Sequence, residues 1–161
     1  KAGQQLVFGE QIGWLSPGVI HEKGNAAFLR QVVRLRHALR RYFYAGEMAR
    51  PPELQGKIPT VTADWQWHGR WPVTTSALLT GAWRQPKEGR LVLLFVNVSE
   101  EPLTATFAFD AARYGLSAQV LRVTKLTSDD RADPVTVPAR FERELSFPAK
   151  TAWAWEITAG E

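Results

Sequence analysis

The chain has 161 residues, 45% of them hydrophobic and 22% charged, ample for one compact core or for one domain with part of another. It contains no cysteine, which excludes disulfides, thiol nucleophiles and thiolate metal sites together. Its net charge of +4 and sequence pI near 9.7 permit an anionic partner without requiring one, and no run approaches the roughly 18 apolar residues of a membrane span.

In chain order, LVFGEQIGW (Leu6–Trp14) comes first and reads as a short buried strand, Leu6–Gly9, that delivers Glu10 into a glycine-aromatic loop. From Asn25 to Ala45 the residues Phe28, Leu29, Val32, Val33, Leu35, Leu39, Tyr42 and Phe43 follow helical spacing. Asn25 is placed to cap the start of that helix, and Gly46 to end it in a left-handed conformation. GEMARPPELQGKIP cannot continue a helix, and a boundary is expected near residue 52.

Strands follow. Val61, Ala63, Trp65 and Trp67 alternate with polar residues. Ser76–Arg84, Leu91–Val98, Leu103–Phe109 and Gln119–Leu126 come next, then strands around Phe141–Phe147 and Trp153–Ile157. Short strands joined by turns predict a mainly β fold, an antiparallel β-sandwich preceded by one long amphipathic α-helix. LVLLFVNV is apolar on both faces, so a second layer must cover the face turned away from the sandwich. Helix Asn25–Ala45 is the available cover and is expected to pack on the sheet.

Few residues carry chemistry. His21, His37 and His68 lie at no metal-ligand spacing, and Asp129, Asp130 and Asp133 lack the glycine and terminal glutamate of a calcium loop, so neither metal nor cofactor is expected. Glycoside hydrolysis usually needs two carboxylates about 5–10 Å apart, whereas Glu10 stands alone at the end of its strand and the sandwich acids read as surface residues. No complete catalytic constellation is visible. Of the seven tryptophans, Trp65 with Trp67 and Trp153 with Trp155 share faces with aliphatic neighbours and read as core. Trp14 and Trp71, both in loops, remain as carbohydrate-contact candidates. The helix carries Arg30, Arg34, Arg36, Arg40 and Arg41 with no acid among them. That pattern reads either as a phosphate-binding face or as a polar face opposite the buried stripe.

The order FGEQIGW, FLRQVVRLRHALRRYFYAGEM, LVLLFVNVS with its trailing EEPL, and FPAKTAWAWEI resembles the C-terminal end of bacterial (β/α)8-barrel glycoside hydrolases. There the last barrel strand and helix lead into an antiparallel β-sandwich. The resemblance implies that residues 1–52 are the strand-loop-helix end of a barrel and residues 53–161 the sandwich. Barrel active sites lie at the C-terminal ends of the strands, so Glu10 would stand at the rim of a sugar site, without the catalytic acids that earlier strands supply. A barrel strand without neighbours has unpaired backbone groups, so Leu6–Glu10 is expected to be irregular or to pair elsewhere. A helix stripe freed from its barrel would favour self-association.

Three functions compete. The leading one is a non-catalytic accessory β-sandwich that packs on and stabilises the catalytic barrel of a glycoside hydrolase. The others are an independent carbohydrate-binding module using Trp71 and Trp14, and a basic domain for nucleic acid or another polyanion, the weakest of the three. The chain opens on Lys1 rather than methionine, as a processed or cut chain would, so the compartment stays open, with a secreted or periplasmic bacterial parent compatible.

Overall fold

A computed structural model describes residues 1–13, 15, 17–64 and 69–160. Three helices come first, α1 (Ala2–Val7), α2 (Lys23–Ala38) and α3 (Arg40–Ala45), with a 3-10 turn at Pro17–Ile20. Eleven strands follow: β1 (Glu47–Met48), β2 (Leu54–Gln55), β3 (Thr60–Asp64), β4 (Pro72–Ser76), β5 (Leu78–Gln85), β6 (Arg90–Asn97), β7 (Leu103–Asp110), β8 (Val120–Leu126), β9 (Val135–Pro138), β10 (Arg140–Phe147) and β11 (Thr151–Ala159). They form a six-stranded sheet ordered β1-β5-β6-β11-β8-β9, a three-stranded sheet β10-β7-β2 and a separate β3–β4 hairpin, with antiparallel pairing throughout. The expected antiparallel sandwich is thus the fold.

Strand parity sorts the core into two halves. In β6, Leu91, Leu93 and Phe95 face the sandwich with Trp153, Trp155 and Ile157 of β11, meeting Phe107 and Phe109 of β7 and Leu145 and Phe147 of β10. Phe95 lies 4.5 Å from Trp153 and 5.8 Å from Phe107, ring centre to ring centre, so aromatic contacts tie the two sheets together. The intervening residues Val92, Leu94, Val96, Ala152 and Ala154 turn the other way, onto Phe28, Val32, Leu35, Leu39 and Tyr42 of the helices. The two-faced LVLLFVNV strand therefore has the second cover that its composition demanded, and the predicted helix supplies it.

Four local expectations are corrected. Leu6–Gly9 is not a strand: α1 is helical, and its backbone closes on itself through Phe8 N–H to Gln4 O (3.0 Å) and Glu10 N–H to Gln5 O (2.8 Å). A lone segment satisfies its amides this way without a partner strand. It still buries Leu6 and Val7, and it docks where Gly81 of β5 has no side chain, since a Cβ there would lie 2.7 Å from Val7 O. The long helix breaks at Leu39 into α2 and α3. Asn25 does not cap it; the N-cap is Glu22, whose Oε2 accepts from Asn25 Nδ2 at 2.6 Å inside the first turn. Gly46 is extended (φ −106°, ψ −178°), not left-handed. Glycine is needed there because a Cβ would stand 2.4 Å from Tyr42 O and 2.8 Å from Arg84 O. With the apolar stripe under the sheet, only Val33 among its members is largely exposed.

Asn97 closes β6. Fully buried, it accepts from Ser99 N–H (2.9 Å) and Ser99 Oγ (2.7 Å) and donates to the carbonyls of Glu101 (2.8 Å) and Phe147 (3.0 Å). It shapes the turn into β7 and fastens it to the end of β10. Asn97→Ala should therefore cost about 2–3 kcal/mol in urea unfolding, because it leaves several buried polar groups unpaired. Exposed Thr62→Ala should stay within about 0.5 kcal/mol. A comparably small loss for Asn97→Ala would show that backbone bonds alone hold the turn.

Candidate functional site

Parity also places a charge inside the protein. Glu156 belongs to the helix-facing set of β11, between the apolar Trp155 and Ile157, and is 4% exposed. Its Oε1 accepts from Arg41 Nη2 at 2.5 Å and from the Tyr42 hydroxyl at 2.7 Å. Its Oε2 accepts from Arg131, and Arg90 Nη1 lies 3.7 Å from Oε1. Residues from α3, β6, the β8–β9 connection and β11 thus converge on one carboxylate. Burial alone would raise its pKa, but hydrogen bonds from Tyr42, Arg131 and Arg41 outweigh burial and hold it below the usual carboxylate value. The Tyr42 hydroxyl is pushed well up, first by its own burial and then by donating to Glu156. Both groups stay in their neutral-pH forms, so the cluster acts as a fixed ion network rather than a proton shuttle.

Beside it opens a cavity of about 350 Å³, lined by Ala38, Leu39, Arg40, Arg41, Arg90 and Leu126 together with Arg131 and Glu156. A second cavity, about 370 Å³, lies at the sandwich edge against Trp153, Trp155 and Phe141, with Lys125 Nζ 4.9 Å from the Trp153 ring centre. Among the described residues, no group of three or more His, Asp or Glu side chains could hold a metal ion.

The residues singled out from sequence do not converge. Glu10 stands exposed and is held by its backbone, its carbonyl accepting from Arg36 Nε at 2.6 Å and the Gly9 carbonyl from Arg36 Nη2 at 3.2 Å. Trp71, 60% exposed, lies beside the β3–β4 hairpin, where its backbone N–H donates to Asp64 Oδ1 at 2.9 Å. Trp14 lies outside the described residues, as do Trp65 and Trp67. Trp153 and Trp155 are core, as their parity indicated. The sandwich acids were expected at the surface, and Glu156 overturns that expectation. The signal available was an acid in AWAWEI, a strand apolar on both sides of it.

The helix arginines are largely committed within the molecule. Arg34 pairs with Asp129, Arg36 binds the Gly9–Glu10 backbone, Arg40 Nη1 donates to His37 O at 3.0 Å, and Arg41 binds Glu156.

No family model matches the chain, and no curated protein matches it. Solved structures similar to it are chains of glycoside hydrolases. A GH27 β-L-arabinopyranosidase from Geobacillus stearothermophilus superposes with a TM-score of 0.48 at 10% identity, over 83% of this chain and 24% of that one. An arabinofuranosidase gives 0.40 at 15% identity, over 64% of this chain and 24% of that one. A family 44 xyloglucanase from Paenibacillus polymyxa gives 0.36 at 18% identity, over 55% and 19%. This chain thus spans about a quarter or less of the length of each. At these scores and identities the likeness carries no argument for an activity or substrate of this chain.

The ion network makes a pH prediction. A carboxyl whose folded pKa is depressed contributes stability above its unfolded value, near 4.5, and that contribution is lost as pH falls through the lower folded value. Glu156→Gln keeps an acceptor for Tyr42 and removes the charge. At pH 7 it should cost about 1–3 kcal/mol in urea unfolding, and the gap to wild type should close towards pH 3. A gap independent of pH would show that the charge contributes nothing.

Proposed function

We propose that this chain is a non-catalytic accessory module of a glycan-acting hydrolase, a sandwich with a helical layer that packs on the catalytic barrel and steadies it. The observation that carries the reading is an apolar patch at one rim of the helical layer. Phe8 follows α1, Tyr44 lies in α3 and Met48 in β1, each more than half exposed. Met48 and Tyr44 adjoin a half-buried aromatic pair, Phe43 and Trp83, whose rings meet edge-on at 5.4 Å. Met48 is the cross-strand partner of Trp83, and Trp83 Nε1 donates to Val7 O at 3.1 Å, so α1, α3, β1 and β5 all contribute to one surface. Arg36 lies 5.6 Å from the ring centres of both Phe43 and Tyr44 and adds a polar edge. Aromatic, methionine and arginine side chains gathered in this way are what protein interfaces favour.

The test is thermal unfolding of the isolated chain and of the polypeptide that joins it to a catalytic domain. A Tyr44→Ser/Met48→Ser double variant should leave the isolated chain's Tm within about 2 °C, since exposed substitutions cost little. In the joined polypeptide the same variant should lower the catalytic domain's Tm by about 4 °C or more. An unchanged catalytic-domain Tm would remove this patch as the docking surface and the reading with it.

The exposure of Trp71 favours a second reading, in which the module itself holds glycan by stacking a sugar ring on that indole. Wild-type chain would then be retained on an insoluble polysaccharide and Trp71→Ala would not. Equal retention of the two proteins would dismiss Trp71 as the contact.

A further inference from the structure

We propose that the arginine-lined cavity beside Glu156 binds the oxyanionic group of an acidic saccharide, a carboxylate or sulfate carried on a sugar ring. This deepens the glycan-related reading above and rests on it for the sugar, though not for the anion.

The argument begins with charge. Four guanidinium groups, those of Arg40, Arg41, Arg90 and Arg131, line one concavity with a single carboxylate, Glu156. Glu88 offsets only part of the excess, pairing with Arg90 at 3.4 Å. Glu156 is already occupied, since it lies at the floor and takes Arg41 and Tyr42 on one oxygen and Arg131 on the other. Each guanidinium has five N–H donors, and the few bonds to Glu156 leave most of them for another acceptor. Arg41 and Arg131 keep 43% and 58% of their side chains exposed while anchored to Glu156, so they are held in place yet reachable. Arg40 lines the cavity without touching Glu156, its Nη1 bonded instead to the His37 carbonyl.

Chemistry then selects the ligand. Guanidinium forks match carboxylate, sulfate and phosphate geometry, and partial desolvation in a concavity strengthens such pairs relative to open surface. The remaining wall, Ala38, Leu39 and Leu126, is apolar and offers a face for the body of a ring. A volume of about 350 Å³ has room for a single sugar with its charged substituent. A neutral sugar would leave the excess positive charge unanswered. Glu156 also preorganises the cavity, because anchoring Arg41 and Arg131 before a ligand arrives reduces the side-chain entropy lost on binding.

The experiment is calorimetric titration at low ionic strength with glucuronate, glucose and inorganic phosphate. The proteins are wild type, Arg40→Ala, Arg131→Ala and Arg113→Ala, an exposed arginine outside this cavity. Glucuronate should bind wild type more tightly than phosphate, and glucose should not bind. Arg40→Ala and Arg131→Ala should each weaken glucuronate at least tenfold, with Arg113→Ala unchanged. Arg40→Ala is the decisive variant because it spares the Glu156 network, and an unaltered melting temperature would confirm that it folds. Phosphate binding without glucuronate binding would overturn the saccharide as ligand while retaining the anion site. Absence of both, or an equal loss in Arg113→Ala, would overturn the site itself. Neither result bears on the Tm test of the docking patch, so the two proposals fail separately.

Discussion

Burial of β6 on both faces is the constraint on which the rest of the molecule depends. From Leu91 to Val96 every side chain is fully buried, half against the second sheet and half against the helices. At about 1.5–3 kcal/mol for each large apolar side chain, this one strand supplies on the order of 10 kcal/mol of gross burial energy. That is comparable to the net stability of a whole domain, and no two-layer arrangement could supply it. A third layer is therefore obligatory, and the helices are there to meet the demand. The same alternation continues in β11, where it sends Trp153, Trp155 and Ile157 into the sandwich and Ala152, Ala154 and Glu156 under the helices. The two alanines are small because a helix must approach closely. Glu156 is tolerated because α3 arrives above it with an arginine and a tyrosine.

What could be read from the residues followed the strength of their patterns. Strands β6, β7, β10 and β11 have eight or more residues each, and same-face apolar residues or a two-faced apolar run marked them to within a few positions, whereas β5 and β8 were placed on weaker patterns. Strands β1 and β2, two residues each, and the four-residue β9 have too little pattern to be seen and exist because a neighbour pairs with them. LVF read as a strand because β-branched and aromatic residues suit one. Instead Leu6 and Val7 end a short helix whose backbone groups pair within the segment. The close approaches at Gly46 and Gly81 depend on contacts with residues far along the chain, so nothing local announced them.

The candidate site was the least legible part. Glu10 and Trp71 drew notice because local sequence makes loop acids and loop aromatics conspicuous, yet in three dimensions they stand apart from the ion network. Glu156 drew none, since its partners are 115, 114 and 25 positions away and only folding joins them. The arginine-rich helix was legible as a pattern but ambiguous in meaning. Its guanidiniums do not form one phosphate-binding row. They leave in different directions, Arg34 to Asp129, Arg36 to the backbone behind α1 and Arg41 to the buried carboxylate. Basic residues on one helix are a nucleic-acid signal only when they remain free together, and here tertiary structure has divided them.

That division bears on how the chain can be cut. A boundary near residue 52 follows the change in composition, but the interactions do not follow it. β1 pairs with β5, α1 rests on Gly81, and Trp83 bonds the Val7 carbonyl. Removing everything before the boundary would strip Val92, Leu94, Val96, Ala152 and Ala154 of their cover and leave Glu156 without Arg41 and Tyr42. Wetting that apolar face would forfeit the burial energy of those five side chains, and Glu156 would keep only Arg131 and Arg90. The helices are thus energetically part of the sandwich. The helical layer is fixed from beneath by β6 and β11, whose helix-facing residues it covers.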